Sequence, residues 1–218
     1  LYNFAAKKHD YDGANPAKLA DRAKESRGGY HTWTEAEVAR FLTRHGPGTK
    51  ARLAILIALN TGMARQDLCG ANRDMLRVKN GKLRIEYARG KTGVAADLPV
   101  IPELAEELER LPPEQHIFLA KDDLREAYKV TSFGNWFRDR CREAEVPGSI
   151  HGLRKAGATR LADAGASDWE IASYLAHTDT TQASVYTRRA NRSKLADSGF
   201  KKLGKLSNSS DPLDSEKE

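Results

Sequence analysis

Apolar residues recur at helical spacing along most of this chain, and only in the middle does the period fall to two. Thr34-x-x-Glu37 is a capping-box pattern ahead of Val38, Phe41 and Leu42, and it predicts a helix that Gly46-Pro47 stops. A second helix is predicted from about Lys50 to Asn60. Its Leu53–Leu59 stretch is apolar all round, which places it at the centre of the core. Helical propensity returns around Gln66–Leu68. Then Met75–Val78, Asn80-Gly81 and Leu83–Tyr87 read as a hairpin with a type I′ turn, since both turn residues tolerate positive φ. A second tight turn, Gly90-Lys91-Thr92-Gly93, leads to a third strand near Asp97–Ile101. Pro102 opens a helix through Leu111 with Leu104 and Leu108 inward, and Pro112-Pro113 ends it. Phe133, Trp136, Phe137 and Cys141 space a further core helix. One more runs from near His151 to Gly165. Ser167-x-x-Glu170 caps the next, which turns Ile171, Tyr174 and Leu175 inward.

The two ends differ from this body. Leu1, Phe4 and Ala5 suit the end of a helix, Asn15-Pro16 breaks it, and 18–29 reads as a basic linker carrying Lys18, Arg22, Lys24 and Arg27. After Asn191 a short amphipathic helix with Leu195, Phe200 and Leu203 precedes a Ser/Asp/Glu-rich tail expected to be disordered. The predicted plan is therefore a linker region over 1–29, one α+β domain over 30–203 with helices around a small three-stranded antiparallel sheet, and a tail over 204–218. The chain begins at Leu1 with no charged and apolar leader, and reads as a piece of a longer protein.

Composition narrows the partners. Charged residues make up 30% of the 218 positions, and the net charge is +6. The last eight residues sum to −3, which leaves +9 on the rest. With a pI near 9.3, nucleic acid is the first partner to test, a solvated basic surface being the plainer alternative. The mean hydropathy of −0.64 and the brevity of the Leu53–Leu59 run argue against a membrane span, which needs roughly 20 apolar residues. Cys69 and Cys141 form neither a disulfide framework nor a CxxC knuckle, so a reduced, cytoplasmic setting is expected. His, Asp and Glu never recur at metal-ligand spacing. The chain carries no Walker loop and no GxSxG, so no metal or cofactor is expected.

Taken singly, the polar candidates have bland readings. His151 and Arg154, at i and i+3, could be a surface pair near a helix start, or an anion site that combines a helix N-terminus with a guanidinium fork. His177 suits a helix C-terminus, Lys91 a solubilising turn tip, and Tyr186 a packed tyrosine like most of the seven.

Their order changes the picture. Lys91 on a turn, His151-Gly-Leu-Arg154, Leu175-Ala-His177 and Tyr186 together resemble the catalytic domain of tyrosine recombinases, the phage-type integrases. The string His151-Gly-Leu-Arg-Lys-Ala-Gly-Ala-Thr-Arg-Leu-Ala-Asp-Ala-Gly165 is similar to that family's box II. So is Ile171-Ala-Ser-Tyr-Leu-Ala-His177, continuing through Tyr186-Thr-Arg. Asn60-Thr-Gly-Met-Ala-Arg-Gln-Asp-Leu68 resembles its box I. The resemblance covers about Trp33 to Phe200, and the segment before Arg22 resembles the end of the core-binding domain that precedes the catalytic one. In box I the family has an arginine after Thr-Gly-x. Thr61-Gly62-Met63 on the left and Asp67-Leu68 on the right both put Ala64 at that position. Arg65 is the alternative occupant, reached only by a shift of one residue, which on a helix is a turn of 100°.

The resemblance implies cutting and rejoining of double-stranded DNA through a 3′-phosphotyrosine, with no cofactor. Tyr186 would be the nucleophile and Arg154 would stabilise the phosphate charge. His151 would assist proton transfer, Lys91 would protonate the leaving 5′-oxygen, and His177 would hydrogen-bond the phosphate. Lys18, Arg22, Lys24, Arg27 and Lys155 would contact DNA. The full-length protein would work as a homotetramer on two duplexes, near the nucleoid, with room for accessory DNA-bending proteins. The helix after the tyrosine would dock on a neighbouring protomer. A DNA-binding protein of recombinase descent that no longer cuts is the rival reading, with Ala64 as its support, and a type IB topoisomerase shares the chemistry.

Overall fold

A computed structural model describes residues 4, 7–9, 29–121, 124–188, 196–201 and 203. The elements run α1 (Glu35–Arg44), α2 (Lys50–Thr61), α3 (Arg65–Cys69), a 3-10 turn (Arg73–Met75), β1 (Leu76–Lys79), β2 (Lys82–Ala88) and β3 (Ala95–Pro99). They continue with α4 (Pro102–Glu109), α5 (Val130–Glu143), α6 (Ile150–Asp163), α7 (Asp168–Tyr174) and α8 (Ser184–Thr187). Residues 196–201 are helical too. The linker cations Lys18, Arg22, Lys24 and Arg27, Leu195 and the 204–218 tail lie outside the described residues.

The fold is α+β, with helices around one antiparallel sheet of order β1-β2-β3. α2 is buried on nearly every side, from Ala51 to Thr61, as an apolar stretch without a polar face must be. It packs against α6 and α4. Trp33, Phe41, Phe133 and Phe137 interlock beside it, with ring centroids 5.5–6.2 Å apart. A fully buried phenylalanine contributes roughly 1.5–3 kcal/mol, so this cluster fixes α1 and α5 on the core. The Trp33 indole donates to the Ser149 carbonyl at 3.0 Å and so anchors the start of α6.

Both capping boxes form. Thr34 and Glu37 exchange bonds of 3.2 and 2.8 Å, and Ser167 and Glu170 bonds of 3.3 and 2.6 Å. Asn80 and Gly81 take φ of 52° and 72°, as a type I′ turn requires. Two boundaries differ from the sequence expectation. β3 starts at Ala95 and ends at Pro99, because Asn60 on α2 clamps the strand end. Its amide donates to the Pro99 carbonyl at 2.8 Å, and its oxygen accepts from the Ile101 N–H at 2.7 Å. Ile101 thereby becomes the N-cap of α4. α4 stops at Glu109, short of Leu111, since a residue preceding proline disfavours the helical region.

Candidate active site

The site forms where the C-terminal ends of α2 and α7 meet the first turns of α6. Gly62 ends α2 in a left-handed conformation, φ 58°, which frees its carbonyl to face α6. Arg154, in the second turn of α6, is only 6% exposed. Its guanidinium Nη1 donates to the Gly62 carbonyl and Nη2 to the Leu175 carbonyl at 2.5 Å, the cap of α7. Two helix C-termini thus offset the burial of one cation with their unsatisfied carbonyls. The blander of the two single-residue readings, a surface pair, is not what forms: His151 is exposed, while Arg154 is buried.

His177 follows α7, its N–H bound to the Ala172 carbonyl at 2.9 Å. Arg154 Nη2 lies 3.1 Å from His177 Nε2. An arginine can only donate, so Nε2 accepts and the ring hydrogen sits on Nδ1. That Nδ1 is buried with no hydrogen-bond partner among the described residues. The pKa values of both histidines are lowered, in each case by burial first and then by nearby cations, Arg154 foremost. Both rings are therefore neutral near pH 7. The His151 ring packs against Tyr30, tilted by 46° with ring centroids 4.5 Å apart. Lys155 Nζ donates to the Tyr30 carbonyl at 2.8 Å, which ties the domain entry to α6.

Tyr186 stands half-buried in the short α8, packed against the core and within electrostatic reach of Arg154. α8 rests on α6 and is pinned to α7 by the Thr187 hydroxyl, which donates to Asp168 at 2.7 Å. Burial holds the neighbouring phenol of Tyr87 up at about 12, and that of Tyr174 higher still, so these two remain protonated.

Lys91 is exposed on the β2–β3 turn, between Gly90 and Thr92. Ala64 is half-buried, extended, and the N-cap of α3 with no side-chain cap bond. Arg65, one step on, is exposed, and its guanidinium lies over Gly134 of α5. It lines a cavity of about 320 Å³ with Tyr30, Arg138 and His151. His177 lines a different cavity of about 180 Å³, shared with Arg89, Thr92, Asp179 and Gln182. The structure thus brings together Arg154, His177, His151 and Tyr186, and places Arg65 on the cavity that His151 lines, apart from the one that His177 lines.

Two residues escaped the sequence reading. Tyr30 carried no signal, being one aromatic in a Gly-rich linker end. Arg89 carried a faint one: it is a cation two positions before Lys91, at the foot of the same turn.

A sequence model described as the phage integrase family matches residues 32–192. The tyrosine recombinase XerA of Thermococcus kodakarensis is 25% identical over 160 residues, which cover 71% of this chain and 57% of that protein. The chain thus spans little more than half the length of that curated relative. A lambda integrase dimer bound to a COC′ core site superposes with a TM-score of 0.66 at 22% identity, over 85% of this chain and 68% of the other. A lambda integrase tetramer bound to a Holliday junction gives 0.63 at 22% identity, over 83% and 56%. At such identity the two structures speak for the fold.

Proposed function

Because the chain belongs to the phage integrase family, we propose that it cuts and rejoins duplex DNA through a covalent 3′-phosphotyrosine on Tyr186, as in site-specific recombination. The observation that carries this reading is the buried Arg154, locked between two helix ends beside His177 and within reach of Tyr186. A guanidinium fixed in a dry setting is preorganised for charge that develops on a phosphate, and no solvent need reorganise. In the step, the Tyr186 oxygen bonds to phosphorus while the bond from phosphorus to the 5′-oxygen breaks. The phenol proton passes to neutral His151, and the departing 5′-oxygen takes a proton from Lys91. His177 donates Nδ1–H to a non-bridging oxygen. The bond energy stays in the phosphotyrosine, so a 5′-hydroxyl can reverse the reaction without ATP.

Ala64 removes one charge donor from this arrangement, and the loss of such a donor typically lowers the rate about 10²–10³-fold. The chain is therefore an impaired enzyme, and the full-length protein would assemble as four copies on two duplexes. Exposed Phe200 and Leu203 on the helical segment after Tyr186 are the surface by which one copy would hold the next. The test uses nicked duplexes with a randomised core, read as detergent-resistant protein–DNA adduct. Ala64→Arg should raise the yield at least tenfold and Tyr186→Phe should abolish it. Salt-sensitive DNA binding with no adduct from either the chain or its Ala64→Arg variant would establish the second reading, a non-cleaving DNA-binding protein, which Ala64 alone favours.

A further inference from the structure

We propose that Arg89, at the exit of β2, is a further catalytic residue: its guanidinium faces the scissile phosphate beside His177 and supplies the second cation that Ala64 does not. The assignment rests on the phosphotyrosine reading above.

The backbone of Arg89 is pinned. Its N–H donates to the Val94 carbonyl at 2.9 Å, and its own carbonyl accepts from the Thr92 and Gly93 N–H groups at 3.2 and 2.7 Å. The residue therefore closes the turn that carries Lys91, with its side chain emerging from a rigid strand end. That side chain is half-buried, and its Nε is shut away from solvent with no hydrogen-bond partner among the described residues. An enclosed donor of this kind is unfavourable until an acceptor arrives.

Arg89 lines a cavity with His177, whose Nδ1 is a second such donor. Two residues that each keep a buried N–H without a partner among the described residues thus line one cavity of about 180 Å³. A phosphodiester brings acceptors for both. Asp179, on the same lining, makes no ion pair with Arg89, and its carboxylate instead accepts from the Thr181 N–H at 2.8 Å. Arg89 is thus a cation near Arg154 with no acid paired to it among the described residues, an arrangement that an incoming monoanion relieves.

The reach of its charge agrees. Arg89 is among the cations that lower the pKa values of His151, Arg154 and His177, so one guanidinium is felt at three members of the site. Arg65, next to the vacant arginine position in sequence, is not among them for any of the three. In the geometry Arg65 lies over Gly134 of α5 whereas Arg89 lines the cavity of His177, so replacement of the lost cation from the β2–β3 turn fits better than replacement from box I.

The experiment has two arms, both on the full chain. In the first, single-turnover adduct formation is measured on nicked duplexes with a randomised core. Arg89→Ala should slow it about 10²–10³-fold, Arg89→Lys should recover part of the loss, and in the A64R background Arg89→Ala should cost less than tenfold. An Arg89→Ala rate within twofold of the parent chain overturns the proposal. In the second arm, inorganic phosphate is titrated at constant ionic strength while the ¹⁵N signals of arginine Nε are followed, with Arg89 assigned by its loss in Arg89→Lys. The Arg89 and Arg154 signals should move along one saturation curve. An Arg89 signal that stays still while Arg154 saturates overturns the proposal even if no variant ever cleaves. Absence of adduct in every variant alongside co-titration would instead count against the phosphotyrosine reading and leave Arg89 as a phosphate ligand.

Discussion

A methyl group added at Gly157 would collide with the Tyr174 hydroxyl, and that hydroxyl is the tie between α7 and α2, donating to the Leu59 carbonyl at 2.9 Å. Gly157→Ala should therefore destabilise the fold by about 1–3 kcal/mol, the usual range for overpacking, as read by urea denaturation. Tyr174→Phe removes the donor while keeping the ring, and should cost about 1 kcal/mol in the same assay. The histidines give a pH signature. Their folded pKa values lie below the ordinary value of 6.5, so the unfolded chain binds more protons wherever the two states differ. Stability should be flat above about pH 7, then fall as pH drops through 6.5 toward the folded values. Melting temperatures from pH 7.5 to 5.5 would show this, and His177→Gln should flatten part of the slope. Glu35, held low by the bidentate hydrogen bond from Arg160 on α6, loses its contribution only in a separate window as pH falls below 4.5.

At the scale of elements, local chemistry explains most boundaries. Thr34→Ala and Ser167→Ala each remove a reciprocal cap, and each should lower stability by about 1 kcal/mol in chemical denaturation. These caps, the Asn80-Gly81 hairpin and the buried α2 could be read from the chain, because each depends on residues within a few positions of one another. The misplaced limits of β3 had the opposite cause. Asn60 sits about forty residues from the strand end that it clamps, so no local pattern carries the information. The second tight turn was legible, yet the setting of its foot was not: Arg89 looks like any strand-end cation until its Nε is found buried without a partner among the described residues.

For the whole molecule, the charge outside the acidic tail predicts duplex DNA binding that weakens steeply with salt. Each cation in phosphate contact adds about 0.9 to the slope of log affinity against log salt. Replacing Lys18, Arg22, Lys24 and Arg27 with alanine should flatten that slope measurably in a fluorescence titration. An unchanged slope would exclude the linker from the contact surface. Removing residues 191–218 tests the proposed exchange between copies. In the full-length protein carrying Ala64→Arg, binding should survive while higher-order complexes on two duplexes disappear from native gels. A helix that short gains little stability unless it finds a surface to bury its apolar side.

The sequence alone determined the helix starts, the hairpin, the central helix and the order of His151, Arg154, His177 and Tyr186, because propensity, capping and motif spacing are properties of neighbouring residues. Only the tertiary structure decided how those residues stand to one another. It buried Arg154 while His151 stayed exposed, oriented that arginine with the carbonyls of two separate helix ends, and set the tautomer of His177 by a donor 23 positions away. It also turned Arg65 toward α5 and set Arg89 on the cavity that His177 lines. The physical reason is that burial and electrostatic reach depend on packing between distant segments, which spacing along a chain does not encode.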